Sequence, residues 1–446
     1  MPKITVIMPS LNVASYMRQC LRSVLEQTLE DIEVVAVDAG STDGTLEILQ
    51  EYVAADRRIS VIQSDKRSYG YQVNVGLEAA QGEYISIVET DDRIADDMYE
   101  MLYAVARDQN LDYVKGRGMF FIDLKNGSQW QTPIWLPLSD DEIGKVIVPC
   151  DKPGILEYDV FLWNGLYKRE FLKNIRFNES EGAAFQDQGF LFQVISSAGK
   201  AVYLDKVVYY YRQDNSGSSV VNSNGFHFLV NEYAYMKQFL PKKEIIWTKM
   251  YYIRMLKQCF GRYRSMTIKG EFWEDALDDI RILKQWILEA YNNGFLQEDV
   301  ISLKDRELLE IFMKDERKLF TYLLAETYSK AELFFRLVDK IKDRSIVVFG
   351  CSATGRFVHA LFENKMQGKV VAFCDNNSAL CGSSIQGVKV MEPAEAVKAY
   401  PNAAFIITGT RSAEDMKRQL KQISKADICF FEYTPEIEMR LFLMEL

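Results

Sequence analysis

The sequence predicts an α/β protein in which two sheet regions are separated by a helical stretch, and three observations carry that prediction. Short β-branched runs alternate with helix-length segments over residues 1–115, a long aromatic-rich middle segment has helical periodicity, and strand–helix alternation begins again at Ser345. Alternation of this kind builds a parallel sheet with helices on both faces. A length of 446 residues also exceeds what one core usually holds. The expected division is 1–220, 221–340 and 341–446.

Taken in order, Ile4 to Met8 is a buried-strand run closed by Pro9, and a helix follows from about Ser15 to Gln27. Glu33 to Val37 is the second strand; it stops at the turn-rich segment from Asp38 to Gly44, which opens a helix through Gln50. Ile59 to Gln63, a helix from Tyr71 to Gln81, and Tyr84 to Val88 complete the first alternation. Residues 117–160, with Trp130, Trp135 and several prolines, show no assignable period. Beyond them Phe161 to Phe171 and Ala183 to Ala198 read as helices and Val202 to Tyr211 as a strand. A Ser/Asn/Gly-rich stretch, Asn215 to Gly225, precedes the middle segment, whose aromatic faces fit a buried bundle core better than a membrane surface. The last alternation places strands at Ile346 to Phe349, Val370 to Cys374, Phe405 to Thr408 and Ile428 to Phe431.

A net charge of −10 opposes nonspecific nucleic-acid binding, which needs basic surface to displace counterions, so no nucleic-acid partner is expected. An anionic ligand would need a cation or positive dipoles. The seven cysteines are scattered and form no CxxC or Cys/His cluster, which reads as free thiols in a reducing compartment. With no signal-peptide pattern and no 18-residue apolar run, a cytoplasmic protein is expected. Peripheral association with the inner membrane face and a homo-oligomer are both compatible with this composition.

Open α/β sheets bind ligands beyond the carboxyl ends of their strands. Polar residues gather there: Ser10 and Asn12 after the first strand, Asp38, Ser41 and Asp43 after the second, Asp65 after the third, and Glu89, Asp91 and Asp92 after the fourth. Three acids within four positions repel one another unless a counter-ion intervenes. Mg²⁺ and Mn²⁺ favour oxygen ligands and bridge carboxylates to phosphates, which offsets charge on a departing diphosphate. The alternative is a solvated acidic turn capping the next helix.

Four ordered blocks then form a pattern: Val6 to Asn12, Ala36 to Asp43, Asn74-Val-Gly76, and Gly82 to Asp92. Together they resemble the family 2 glycosyltransferases with a GT-A fold, strongly to about residue 115 and more weakly to about 220. The resemblance implies an inverting, hexosyltransferase-type enzyme that moves a sugar from a nucleotide-diphospho-sugar, UDP-linked by preference, to a glycan or lipid-linked glycan acceptor in surface polysaccharide or glycoconjugate synthesis. It implies Mn²⁺ or Mg²⁺ at Glu89, Asp91 and Asp92, with Asp91 the preferred direct ligand. Donor contacts fall to Pro9, Ser10, Asn12, Asp38, Ser41, Asp43, Asp65, Asn74, Thr90 and Asp91, with Asp38 meeting the base or ribose.

The segment Phe185-Gln-Asp-Gln-Gly-Phe190 resembles the part of the family that carries the catalytic base, which places that role on Asp187; a helix N-cap is the plainer reading. Trp163 resembles an acceptor-side aromatic, against simple core packing. Gln186 joins it on the acceptor or diphosphate side. Tyr209 to Ser218 resembles a loop closing over the diphosphate, where Arg212 pairs with phosphate oxygens or forms a surface salt bridge. Glu89 stands where Asp is usual, Ala39 where a second acid is, Gln186 where Glu is and Val73 where Arg is, which leaves donor identity open.

Farther on, Gly350-Cys-Ser-Ala-Thr-Gly355 after a strand, with Asp375 closing the next, resembles a Rossmann-like module whose middle glycine is replaced by Ser352. That replacement favours a scaffold, dimerisation or regulatory role over a bound cofactor. Two other functions remain: an inactive glycan-assembly scaffold, and an NAD-dependent sugar-nucleotide oxidoreductase acting through residues 341–446.

Overall fold

The computed structural model describes residues 1–123, 129–215, 224–297, 300–366, 368–408, 413–423 and 429–432. The chain divides into two compact units, one of residues 1–120, 133–266 and 272–319, the other of residues 121–132, 267–271 and 320–446.

Along the chain come β1 (Ile4–Ser10), α1 (Ala14–Leu25), β2 (Ile32–Asp38), α2 (Thr45–Ala55), β3 (Ile59–Gln63), α3 (Tyr69–Ala79), β4 (Tyr84–Ile87), β5 (Arg93–Ile94), α4 (Met98–Asp108), β6 (Tyr113–Asp123), β7 (Gln129–Pro133), α5 (Ile155–Tyr158), β8 (Gly165–Lys168), α6 (Gln186–Ile195) and β9 (Ala201–Arg212), of which the end of β6 and nearly all of β7 fall in the second unit and the rest in the first. Helices α7 (Gly225–Lys237), α8 (Ile245–Lys269), α9 (Leu277–Asn292), α10 (Leu303–Lys314) and α11 (Glu316–Ile341) follow. Among the described residues the sheet order is β3-β2-β1-β4-β8-β6-β9-β5, with β7 beside β6.

Every residue of β1 is buried, as expected of a strand covered on both faces. β3, β2, β1 and β4 are parallel in register, so Ser10 lies opposite Asp38 and Asp38 opposite Gln63. The tips of β1, β2, β3 and β4, with the polar residues that follow them, therefore end at one sheet edge.

Two expectations are corrected. The sheet is mixed, because β8 runs antiparallel to both β4 and β6. Phe161 to Phe171 is not helical: its centre is the strand β8, and a short 3₁₀ turn follows at Phe171–Asn174. Gly165 explains the choice of strand, since a Cβ there would lie 2.6 Å from the Val114 carbonyl oxygen, a closeness that only a glycine paired tightly on β6 permits. Short apolar runs do not by themselves distinguish strand from helix.

The second unit contains β10 (Ile346–Phe349), α12 (Ala353–Lys365), β11 (Val370–Cys374), β12 (Ser384–Ile385), β13 (Val388–Met391), α13 (Pro393–Ala399), β14 (Ala404–Ile407), α14 (Ala413–Ile423) and β15 (Cys429–Glu432). Its sheet order is β12-β13-β11-β10-β14-β15, parallel except for β12. Of the expected strand at Ile428 to Phe431, Cys429 to Phe431 is strand, and Ile428 lies outside the described residues. Apolar layers cover both faces of this sheet, one around Val348, Phe373 and Ile406, the other around Phe349, Cys374 and Ile407. Among the described residues no helix is long and apolar enough to cross a membrane.

Candidate active site

At the end of β2 the chain turns on Asp38. Its Oδ1 accepts from the backbone N–H groups of Gly40 (3.0 Å) and Ser41 (2.9 Å), and its Oδ2 accepts from the Ser41 hydroxyl at 2.5 Å. The Ser41 hydroxyl oxygen in turn accepts from the Asn12 N–H at 2.9 Å, and Asn12, held in the left-handed region at φ +54°, accepts from the Thr42 N–H. Asp43 accepts from the Ala14 N–H (2.9 Å) and from the N–H and hydroxyl of Thr45, which ties the starts of α1 and α2 together. Burial acts to raise its pKa, and those hydrogen bonds outweigh it, leaving the carboxyl below its ordinary range.

Several donor-side residues thus have structural tasks. Asp38, expected to meet a base or ribose, is buried with both oxygens committed to its own turn. Pro9 and Ser10 are buried; their carbonyls accept from the Thr90 hydroxyl (3.1 Å) and the Gln72 amide (3.0 Å). Asn74 is buried in the middle of α3, with its amide donating to the Phe177 carbonyl and Glu179 and its oxygen accepting from the Phe177 N–H. Asn12, Asp43 and Asp65 are exposed and Ser41 is partly so. Asp65 accepts from the Tyr71 phenol, whose proton it holds more tightly.

The acidic turn after β4 separates its three acids. Asp92 is buried, its Oδ2 accepting from the Tyr209 hydroxyl (2.8 Å) and its Oδ1 from the Arg212 N–H (2.7 Å), so it fastens β9 to the turn. Glu89 accepts from the Tyr69 hydroxyl at 2.6 Å, and burial, reinforced by Asp91 and Asp187, pushes its carboxyl up to about 8. Asp91 is partly exposed, with Oδ2 accepting from the Asn215 amide at 2.8 Å. Of the three acids, Asp91 is, among the described residues, the one whose carboxylate has no bond to the core of the turn.

Mg²⁺ and Mn²⁺ sites of the kind that use one or two carboxylates with phosphate oxygens fit a single Asp91. A cage made of protein side chains alone does not fit, since no group of three or more His, Cys, Asp or Glu among the described residues is placed for it.

Asp187 comes from outside this sheet edge. It opens α6 after Phe185, a non-glycine residue at φ +69°, an uncommon and strained setting of the kind that gathers at functional sites. The Asp187 carboxyl is pushed up to about 6 by burial, with Arg254 the largest opposing influence. It acts electrostatically on Glu89 and on Tyr69. The Tyr211 phenol holds its proton tightly because it is buried and also faces Asp92, Asp91, Glu89 and Asp187. One side chain thus senses all four acids, which brings the proposed base and the acidic turn together.

Gln186 is buried, its amide donating to the carbonyls of Ser180 and Gly182, while its Oε1 has no partner. A buried carbonyl oxygen in that state is an acceptor awaiting a donor. Trp163 packs in the core: only 5% exposed, it stacks on Tyr209 with ring centres 4.0 Å apart and packs against Phe161 and Tyr211. Arg212 is buried behind the acidic turn, where it bonds the Asp91 carbonyl (3.1 Å), Gln19 (2.8 Å) and Asp214 (3.1 Å). It is neither a surface salt bridge nor placed by these partners on a phosphate. The expected closing loop extends over Ser216, Gly217 and Ser218, which lie outside the described residues.

Sequence reasoning missed Tyr69, Gln72, Tyr209 and Tyr211. The alternation of β9 was the available signal for two of them, because positions 209 and 211 share one face of a strand. Nothing in the sequence marked Gln188 or Arg254, which support Asp187 from below. In the second unit, Asp375 accepts from the Cys351 N–H (2.7 Å) and the Asn377 N–H (2.8 Å), so the acid that would read a ribose in a dinucleotide site closes its own turn instead.

Comparison with known proteins places this geometry in context. Residues 5–176 match the family described as Glycosyl transferase family 2. The chain is 31% identical over 240 residues to "Glycosyltransferase GlyA" of Streptococcus pneumoniae, covering 51% of this chain and 33% of that one. It is 28% identical over 220 residues to "Glycosyltransferase GlyG" of the same organism, covering 48% and 72%. This chain thus spans only a third of GlyA. Among solved structures, S. aureus TarS 1–349 in complex with UDP-GlcNAc aligns with a TM-score of 0.54 at 20% identity, over 74% of this chain and 92% of that one. At that identity the likeness is one of fold.

Proposed function

Since residues 5–176 belong to glycosyl transferase family 2, we propose that this chain transfers a sugar, with inversion at the anomeric carbon, from a nucleotide-diphospho-sugar to a glycan hydroxyl, using Asp187 as the base. The observation that carries the reading is the arrival of Asp187, on the strained turn at Phe185, beside the acidic turn that holds Asp91. A carboxyl at about 6 is charged at neutral pH yet basic enough to accept a hydroxyl proton.

In the reaction Asp187 takes the proton of the acceptor hydroxyl while that oxygen forms its bond to the anomeric carbon. The bond from that carbon to the diphosphate oxygen breaks on the opposite side, and the nucleoside diphosphate leaves. Asp91 is the residue that would hold Mg²⁺ or Mn²⁺ against the diphosphate; such an ion, when bound, offsets the leaving group's charge. A UDP-sugar is the preferred donor, a choice supported by the fold shared with TarS, which is solved with UDP-GlcNAc.

The test is to incubate the purified chain with a panel of nucleotide-sugars, with Mn²⁺, with Mg²⁺ and with chelator. The expected result is metal-dependent release of a nucleoside diphosphate from one donor class, together with ligand-induced thermal stabilisation. Neither binding nor turnover with any donor would leave the scaffold reading in its place.

A further inference from the structure

Beneath Asp187 the structure contains a second layer. Gln188 is buried, and its side-chain Nε2 donates to Asp187 Oδ2 at 2.9 Å. The same side chain's Oε1 accepts from Arg254 Nε (2.7 Å), from a second guanidinium nitrogen of Arg254, and from Gln258 Nε2 (2.7 Å). Both donors come from α8, beyond the family-matched segment. Gln258 is itself fixed, its Oε1 accepting from the Tyr233 hydroxyl at 2.9 Å.

This settles which way the Gln188 amide points. A flipped amide would set its NH₂ against a guanidinium and a second amide NH₂, all donors, and would turn its oxygen lone pairs on the Asp187 carboxylate. Arg254 therefore dictates that Asp187 meets an N–H. Buried at 4% exposure, with a further bond to the Leu156 carbonyl, Arg254 brings a permanent cation into the same low-dielectric region.

We propose that Arg254, acting through Gln188, is a positioning residue that aims the Asp187 carboxylate and keeps it charged for proton abstraction. The inference rests on Asp187 being the base. The other charged or titratable groups acting on Asp187 are Glu89 in the acidic turn, Tyr69 on α3, Lys115 on β6, Tyr211 on β9, and Glu232 and Tyr233 on α7. Lys115 is bound to Asp159 at 2.7 Å, which leaves Arg254 the cation whose attraction is not matched by a carboxylate of its own.

The experiment compares pH profiles of kcat/KM for the full-length chain carrying Arg254→Met, Arg254→Lys or Gln188→Met. Arg254→Met is expected to move the acid limb up by about one pH unit, with the rate returning toward wild type at high pH and KM for the nucleotide-sugar unchanged. Gln188→Met should shift the limb the same way by less, and Arg254→Lys, which keeps the charge, should recover most of the shift. A packing role would instead lower the rate alike at every pH, and that outcome in both Met variants overturns the proposal. If Arg254→Met fails to fold, the Gln188→Met profile decides alone. Asp187→Asn separates the two claims: turnover retained in that variant removes the base, whereas a dead Asp187→Asn beside unshifted limbs removes only the positioning role.

Discussion

The two sheets of this protein end in similar ways and do different things. In each, a parallel strand stops at a turn that carries an acid, as at Asp38 and Asp91 in the first unit and at Asp375 in the second. In the second unit Asp375 is bound to the Cys351 and Asn377 N–H groups, and a Cβ at Gly355 would lie 1.9 Å from the Gly350 carbonyl oxygen, so the turn is closed by its own backbone. In the first, Asp38 and Asp92 do the same kind of work, but Asp91 stays partly exposed and Asp187 is brought in from another helix. An acid at a strand end becomes chemistry only when the backbone does not already use it.

The comparison breaks most visibly at Asp187. Asp187→Asn keeps the shape and can still accept from the Gln188 amide, yet removes the base, so turnover should fall on the order of 100- to 10,000-fold with donor binding retained. Steady-state rates alongside donor-induced shifts in melting temperature measure both. Asp91→Asn comes next: a loss of about 100-fold is expected, with a weaker response to added Mn²⁺ or Mg²⁺. Unaltered metal dependence in that variant would remove Asp91 as the ligand.

The first sheet was legible because its strands are short, β-branched and punctuated by turns: β3 was placed to the residue and β10 and β11 likewise. The antiparallel β8 was not, since a four-residue strand, Gly165 to Lys168, is too short to carry a period that separates strand from helix. At the site, residue types were readable and their partners were not. Asp38, Asn74, Asp92 and Trp163 are the kinds of residue that bind sugars and nucleotides, and they equally hold turns and cores. Only the long-range bonds, such as Asn74 to Phe177 or Asp92 to Tyr209, show which use was made. Arg254 lies 67 positions from Asp187, and no local pattern could join them.

From the other side, Asp375→Ala sharpens the contrast. Deleting that carboxylate leaves the Cys351 N–H without its acceptor and should destabilise the second unit by about 1–3 kcal/mol. Glycosyl transfer should stay within about twofold of wild type, because the reacting groups all belong to the first unit. A collapse of turnover in folded Asp375→Ala, measured with saturating donor, would show that the second sheet takes part in catalysis.

The finest distinction lies at Glu232, a committed acid inside the first unit. It is fully buried, accepts from the Gly189 N–H at 2.7 Å and from the Asn178 amide at 3.0 Å, and burial, opposed by those bonds, pushes its carboxyl up to about 8. A group whose folded value lies above its unfolded value of roughly 4.3 binds its proton more tightly in the native state. Its stabilising contribution is therefore complete below about pH 4 and is lost as pH rises through about 8. Glu232→Gln removes that dependence. Its oxygen still accepts from Gly189, while its NH₂ must be accommodated by Asn178 at a cost that does not vary with pH. Relative to wild type, the variant should therefore gain roughly 2–3 kcal/mol between pH 6 and pH 9 in denaturant unfolding. Parallel stability curves across that range would mean that Glu232 is charged in the native state, and commitment to the backbone would then not be what keeps an acid out of the chemistry.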